Sequence, residues 1–125
     1  MSTIQVNAIQ SSTGTQEVTQ TTIFSGTPKA WSNLDGSGTI AERDSFNISS
    51  YSDLGTGHYQ KNLSISMVDG NYVVNGISSG GSGSTIYAVH TDSATTPATS
   101  NYTIYVKAGS PADNDALTLI VGRLS

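Results

Sequence analysis

The stretch Tyr102-Thr103-Ile104-Tyr105-Val106-Lys107 decides the fold class. Its apolar side chains alternate with more polar ones, and a period of two places one set on a core and the other toward solvent. The same alternation runs through Ile4 to Ala8 and through Leu63 to Met67. No segment repeats apolar residues at i, i+3, i+4 and i+7 for three turns, as an amphipathic helix requires. The sequence therefore predicts an all-β protein with almost no helix.

Two runs are apolar at successive positions, Ile86 to Val89 and Ala116 to Val121. An uninterrupted apolar run is typical of a strand that is buried on both faces. One small core covers one face, and a large exposed apolar patch is rare on a stable monomer. We therefore expect a neighbouring subunit to cover the second face of the closing strand, which carries Leu117, Leu119 and Val121.

Turn signals separate these runs at short intervals, which favours an antiparallel β-sandwich or a jelly-roll-like fold. Asp69-Gly70 lies between two apolar runs and predicts a hairpin. Residues 1–26 are polar and lack Trp and Tyr, so we interpret them as an N-terminal attachment arm and residues 27–125 as a β-sandwich body. Thr3 to Gln10 is predicted to be an edge strand, a template for pairing with another chain. Its alternating side chains Ile4, Val6 and Ala8 join the predicted assembly interface.

The composition excludes several classes of function. The formal net charge is −4, the pI is about 4.7 and no basic cluster exists, which argues against nucleic-acid binding. The absence of cysteine excludes disulfides and thiolate metal sites. No run approaches the ~20 apolar residues needed to span a membrane. The opening ten residues lack the basic start and apolar stretch of a signal peptide.

Candidate catalytic and metal-binding residues are few. His58 and His90 lie in a turn and at a strand end, without an evident partner for general-base chemistry, so we predict surface or packing roles. Residues 35–38 and 113–115 offer oxygen ligands suited to Ca²⁺, but no Glu closes an EF-hand loop, and Asp and Asn are ordinary turn formers. The nine acidic residues lie mostly in turns, which argues against a glycosidase. We predict no enzymatic activity, no cofactor and no metal.

The tyrosines suggest an alternative function, which is recognition of a host cell-surface glycan. Tyr51, Tyr59 and Tyr87 are the candidate contacts, since aromatic rings stack on sugars beside polar groups. The structural alternative is that strand tyrosines pack as cross-strand pairs.

One segment resembles a known family. It comprises Lys29-Ala30-Trp31, Asn33, Asp35 to Ala41 and Arg43 to Ser50. The similarity continues more loosely through Asp53, Gly55-Thr56-Gly57, Tyr59, Asn62, Met67 and Asn71 to Val74. This pattern is similar to the KAW-x-N-f-x-G-t-G domain of tail-fibre and other virion structural proteins of marine cyanophages and pelagiphages. The resemblance implies a homotrimer on the virion surface, made in the host bacterial cytoplasm and bound to capsid or tail proteins. The near absence of an N-terminal shaft favours a short fibre, a spike or a capsid decoration protein. Trp31 is expected in the core or at a subunit boundary.

Overall fold

The computed structural model describes residues 2–3, 5–78 and 87–125. These residues form eleven strands and one helix. In chain order the elements are β1 (Ala8–Gln10), β2 (Glu17–Thr19), α1 (Gln20–Gly26), β3 (Pro28–Asp35), β4 (Ala41–Phe46), β5 (Ile48–Gly55), β6 (His58–Leu63), β7 (Val73–Ile77), β8 (Ala88–Thr91), β9 (Asn101–Ala108), β10 (Ser110–Pro111) and β11 (Ala116–Val121). The predicted all-β class is confirmed.

Nine of these strands form one antiparallel sheet, in the order β4-β3-β11-β7-β8-β9-β6-β5, with β10 beside β9. The two outermost strands, β4 and β5, follow each other in the chain. The sheet curls so that β6 and β9 lie over β3 and β11, because side chains from these two halves meet in the interior. The result is a nearly closed sheet around one core.

Asn47 makes the corner between the two outermost strands. Its backbone is left-handed, with a φ of 57°, a conformation that asparagine tolerates better than most residues. Its side-chain amide donates to the carbonyls of Lys29 (3.0 Å) and Ile65 (3.1 Å), and its Oδ1 accepts from the Ile65 N–H (2.6 Å). These bonds fix the reversal that folds the sheet over its core.

Two predicted strands are present where the alternation places them. In β9, Tyr102, Ile104 and Val106 are buried, and β11 has the predicted bounds. In β11, Ala116, Thr118 and Ile120 face the core. The alternating positions of β11 therefore point to the outside of the sheet, as the sequence indicates.

Two local predictions are wrong. The Asp69-Gly70 turn does not join a hairpin: β7 pairs with β11 and β8 instead, because β11 offers it five successive partners. The strand predicted over Leu63 to Met67 is also absent. β6 ends at Leu63, and Met67 reaches the core through an isolated bridge to Leu124.

The N-terminal segment forms its own two-stranded sheet, β1 with β2, followed by α1. Thr19 caps α1, and its Oγ1 accepts from the Thr22 N–H at 3.2 Å. The predicted edge strand is shorter than expected, since β1 covers only Ala8–Gln10. The helix has seven residues, too few for the sequence pattern to reveal it.

Gly57 permits the close turn between β5 and β6. Its φ is +62°, and a Cβ there would lie 2.5 Å from the Val106 carbonyl oxygen and 2.6 Å from the Ala112 nitrogen. Gly38 has a similar φ of +67° but open space around it. We expect Gly38→Ala to cost about 1 kcal/mol for the left-handed backbone alone, and Gly57→Ala to cost at least ~2 kcal/mol more. Urea denaturation of both variants checks this, and equal losses would contradict it.

Candidate functional site

The outer surface of β3, β11 and β7 carries apolar side chains on all three strands, with Asn33 on β3 and Asn75 on β7 among them. Leu119 lies between Trp31 on β3 and Asn75 on β7, and Leu117 lies opposite Ile77. Directly opposed residues of antiparallel strands share one face. We call this surface the apolar sheet face and define it by Trp31, Phe46, Val73, Ile77, Leu117, Leu119 and Val121.

The apolar sheet face is open to solvent in a single chain. Val73 and Ile77 are each 65% exposed, Phe46 52% and Trp31 37%. Together these side chains offer on the order of 400 Å² of apolar surface, the size of the largest patch on a typical monomer. Their neighbours across the strands are mostly uncharged, with Asp44 at the β4 margin. The largest apolar patch of a monomer is often functional, so this face is the candidate binding surface.

The structure brings together several predicted interface residues. Trp31, Leu117, Leu119 and Val121 all lie on the apolar sheet face, so Trp31 is at the surface and not in the core. Val6 and Ala8 lie elsewhere, in the N-terminal segment, and Ile4 is outside the described residues.

A second apolar surface belongs to residues 5–27, which we call the N-terminal unit. No side chain in this unit is buried. Its exposed apolar side chains are Val6, Ile9, Val18, Ile23 and Phe24. A cleft of about 730 Å³ separates α1 from the body, and Phe46 and Pro28 line it together with Ile23 and Phe24. The cleft therefore borders the apolar sheet face.

The tyrosines proposed for glycan binding do not form an exposed cluster. Tyr59 is fully buried, and its hydroxyl donates to the Gly36 carbonyl at 3.1 Å, so its assignment as a glycan contact is wrong. Tyr51 and Tyr87 pack against the core while remaining partly exposed. The cause is register, since Tyr59 occupies an inward position of β6.

Both histidines pack against one tyrosine. His58, Tyr105 and His90 are cross-strand neighbours on β6, β9 and β8, with ring centroids 4.0 Å and 5.8 Å apart. The His58 Nε2 also lies 3.3 Å from Asp92 Oδ2. The Ala94 N–H, with smaller help from Thr95 and His58, holds the pKa of Asp92 below its usual value. This arrangement agrees with the predicted packing role.

The two acidic segments considered for Ca²⁺ meet at one end of the sheet, where an arginine lies between them. Arg43 contacts Asp35 Oδ2 at 2.9 Å and Asp115 Oδ2 at 2.6 Å. Asp113 instead accepts from the Gly57 N–H at 2.7 Å and from the Tyr59 hydroxyl at 3.2 Å. In the described part of the chain, no group of three or more His, Cys, Asp or Glu side chains is arranged to hold a metal ion. These carboxylates therefore organise the loops around them.

The core contains a polar group that the sequence analysis missed, the fully buried Lys61. Its Nζ donates to Ser32 Oγ (2.6 Å), the Ala116 carbonyl (2.9 Å) and Thr118 Oγ1 (3.0 Å). The Tyr102 hydroxyl lies 2.8 Å from the same Thr118 oxygen. None of these acceptors carries a formal charge, so burial dominates and lowers the pKa of Lys61 from 10.5 to about 7. The sequence signal for a buried Lys61 is its spacing, because in β6 it lies on the same face as the apolar residues Tyr59 and Leu63.

This pKa predicts a pH-dependent stability. Between pH 7 and 10.5 the unfolded chain keeps the Lys61 proton that the folded chain has released, so the free energy of unfolding rises with pH in that window. The slope approaches ~1.4 kcal/mol per pH unit. Burial also raises the pKa of Tyr59 and Tyr72, which opposes the rise near pH 10 and above, so urea denaturation between pH 7 and 9 is the measurement. Lys61→Met is the control. If the free energy of unfolding of this variant rises with pH as steeply as that of the parent chain, the lowered pKa of Lys61 is contradicted.

Comparisons with known proteins do not assign this chain to a family. No protein family, curated protein or solved structure matches the chain. The helix found among the described residues is too short and too polar to cross a membrane. The geometry of the surfaces and of the core therefore carries the functional argument.

Proposed function

We propose that this protein is a non-enzymatic structural subunit on the exterior of a tailed-phage particle. It acts by assembly, binding its own copies as a homotrimer and attaching to capsid or tail proteins as a short fibre, a spike or a decoration protein. The observation that carries the proposal is the apolar sheet face, on which Trp31, Leu117, Leu119 and Val121 lie together.

Energetics favour a protein partner for this face. Covering these side chains with another apolar surface removes them from water, and this is the dominant favourable contribution to most protein–protein association. A net charge of −4 per chain opposes the approach of three copies only weakly.

The phage assignment rests on the resemblance that starts at Lys29. The residues that carry it form β3 and β4, and they bring Trp31 and Phe46 to the apolar sheet face as cross-strand partners. The similar segment thus supplies one side of the proposed interface. The alternative function, glycan recognition, has less support because Tyr59 is inside the core.

Labelling of intact particles tests the proposal. An antibody raised against the chain, viewed by electron microscopy on purified phage particles, should mark regularly placed copies on the capsid, collar or tail. Mass spectrometry of the same particles should find the chain in fixed proportion to the major capsid protein. Its absence from purified particles would overturn the proposal.

A further inference from the structure

We infer that the N-terminal unit of each copy covers the apolar sheet face of the next copy, so that three copies close a ring. The inference rests on the proposed homotrimer and assigns the contact that holds it together. Residues 5–27 of one copy thus bind the apolar sheet face of a second copy of this chain.

Symmetry requires two different surfaces for such a ring. In a cyclic trimer each contact joins one patch of a subunit to a different patch of its neighbour, whereas a two-fold dimer joins a patch to itself. This chain presents two separate apolar surfaces, the sheet face on β3, β11 and β7 and the N-terminal unit on β1, β2 and α1. A pair of this kind fits a head-to-tail contact.

The N-terminal unit has little stability of its own. Its two strands have three residues each and its helix has seven. An isolated two-stranded hairpin is marginal in water, and so is an isolated helix shorter than about 12 residues. Every apolar side chain of the unit named above stays at least 38% exposed, so the unit keeps apolar surface that a second copy can cover.

The two surfaces match in size and charge. Val6, Ile9, Val18, Ile23 and Phe24 are 38 to 60% exposed. They offer on the order of 400 Å², so the two surfaces bury together on the order of 800 Å², within reach of the ~1,200 Å² total of a small specific interface once their polar borders are added. Glu17 is the single charged residue in the unit, and it accepts a hydrogen bond from Gln10 at 2.7 Å. The unit therefore brings little charge to the uncharged sheet face.

Cysteine cross-linking tests the inference, because the natural chain has no cysteine. The double variant Phe24→Cys/Ile77→Cys places one thiol on each surface. A flexible bis-maleimide should join its chains into covalent dimers and trimers on a denaturing gel. The matched control is Phe24→Cys/Leu54→Cys, since Leu54 is 49% exposed on β5, outside both surfaces, and it should give no covalent trimer.

Sedimentation of the same uncross-linked variants separates the possible failures. A trimer whose double variant does not cross-link between chains would overturn the exchange of N-terminal units and leave the proposed function standing. The single variant Phe24→Cys is cross-linked in the same way. Covalent dimers of this variant, without Phe24–Ile77 links in the double variant, would also overturn the inference, because they would show that N-terminal units contact one another. A monomer would overturn both the inference and the homotrimer on which it rests.

Discussion

Replacing Lys61 by alanine is expected to lower the free energy of unfolding by about 2 to 5 kcal/mol at pH 9, where the cost of deprotonating the buried amine on folding is smaller than at pH 7. The substitution removes a fully buried four-carbon side chain and leaves a cavity between β6 and β11. It also removes the donor shared by Ser32, Thr118 and the Ala116 carbonyl. Since a domain of this size is stable by only about 5–15 kcal/mol, the variant should be near its limit of stability at 37 °C.

Two further variants separate the causes of this loss. Lys61→Met keeps most of the volume and should cost less than the alanine variant, because Ser32 and Thr118 remain 3.1 Å apart and can bond to each other. Lys107→Ala, at an exposed position of β9, should change stability by no more than about 0.5 kcal/mol. Urea denaturation at pH 9 measures all three, and an alanine variant as stable as the methionine variant would contradict a packed, hydrogen-bonded Lys61.

Replacing Ile77 by glutamate is expected to dissociate the proposed trimer while leaving the fold of each chain intact. Ile77 is 65% exposed in the single chain, so a carboxylate there is solvated in the monomer. In the assembly it would be buried against an apolar surface without a partner, at a cost of several kcal/mol per contact. Each contact should weaken by about 100-fold or more.

The matched control for this prediction is Leu54→Glu. Leu54 is 49% exposed on β5, away from both proposed surfaces, so its charge should leave assembly unchanged. Sedimentation velocity at several concentrations measures both variants, with circular dichroism as the check on folding. An Ile77→Glu protein that assembles like the parent chain would remove the sheet face from the interface.

The sequence predicts those parts of the fold in which side-chain period and pairing agree. β9 is predicted correctly because its apolar and more polar side chains alternate, and β11 because its run is apolar on both faces; both strands lie in the interior of the sheet. The outward position of Leu117 and Leu119 follows from the same alternation. The hairpin at Asp69-Gly70 fails because a turn signal is local, whereas the partner of the following strand is chosen by the whole sheet.

The features that were missed depend on contacts distant in the chain. Lys61 is flanked by Gln60 and Asn62 and looks like part of a solvated strand, but its three partners come from β3 and β11. The local sequence predicts an exposed Tyr59 for a similar reason, whereas its partners lie 23 and 54 residues away. Neither set of partners can be found from local pattern alone.

Sedimentation velocity of the full chain at micromolar concentration tests the proposed self-association into a trimer most directly. We predict a species with the mass of three 13.0-kDa chains, and the fraction of chains in this species should fall on dilution. A single 13.0-kDa species across that concentration range would contradict it.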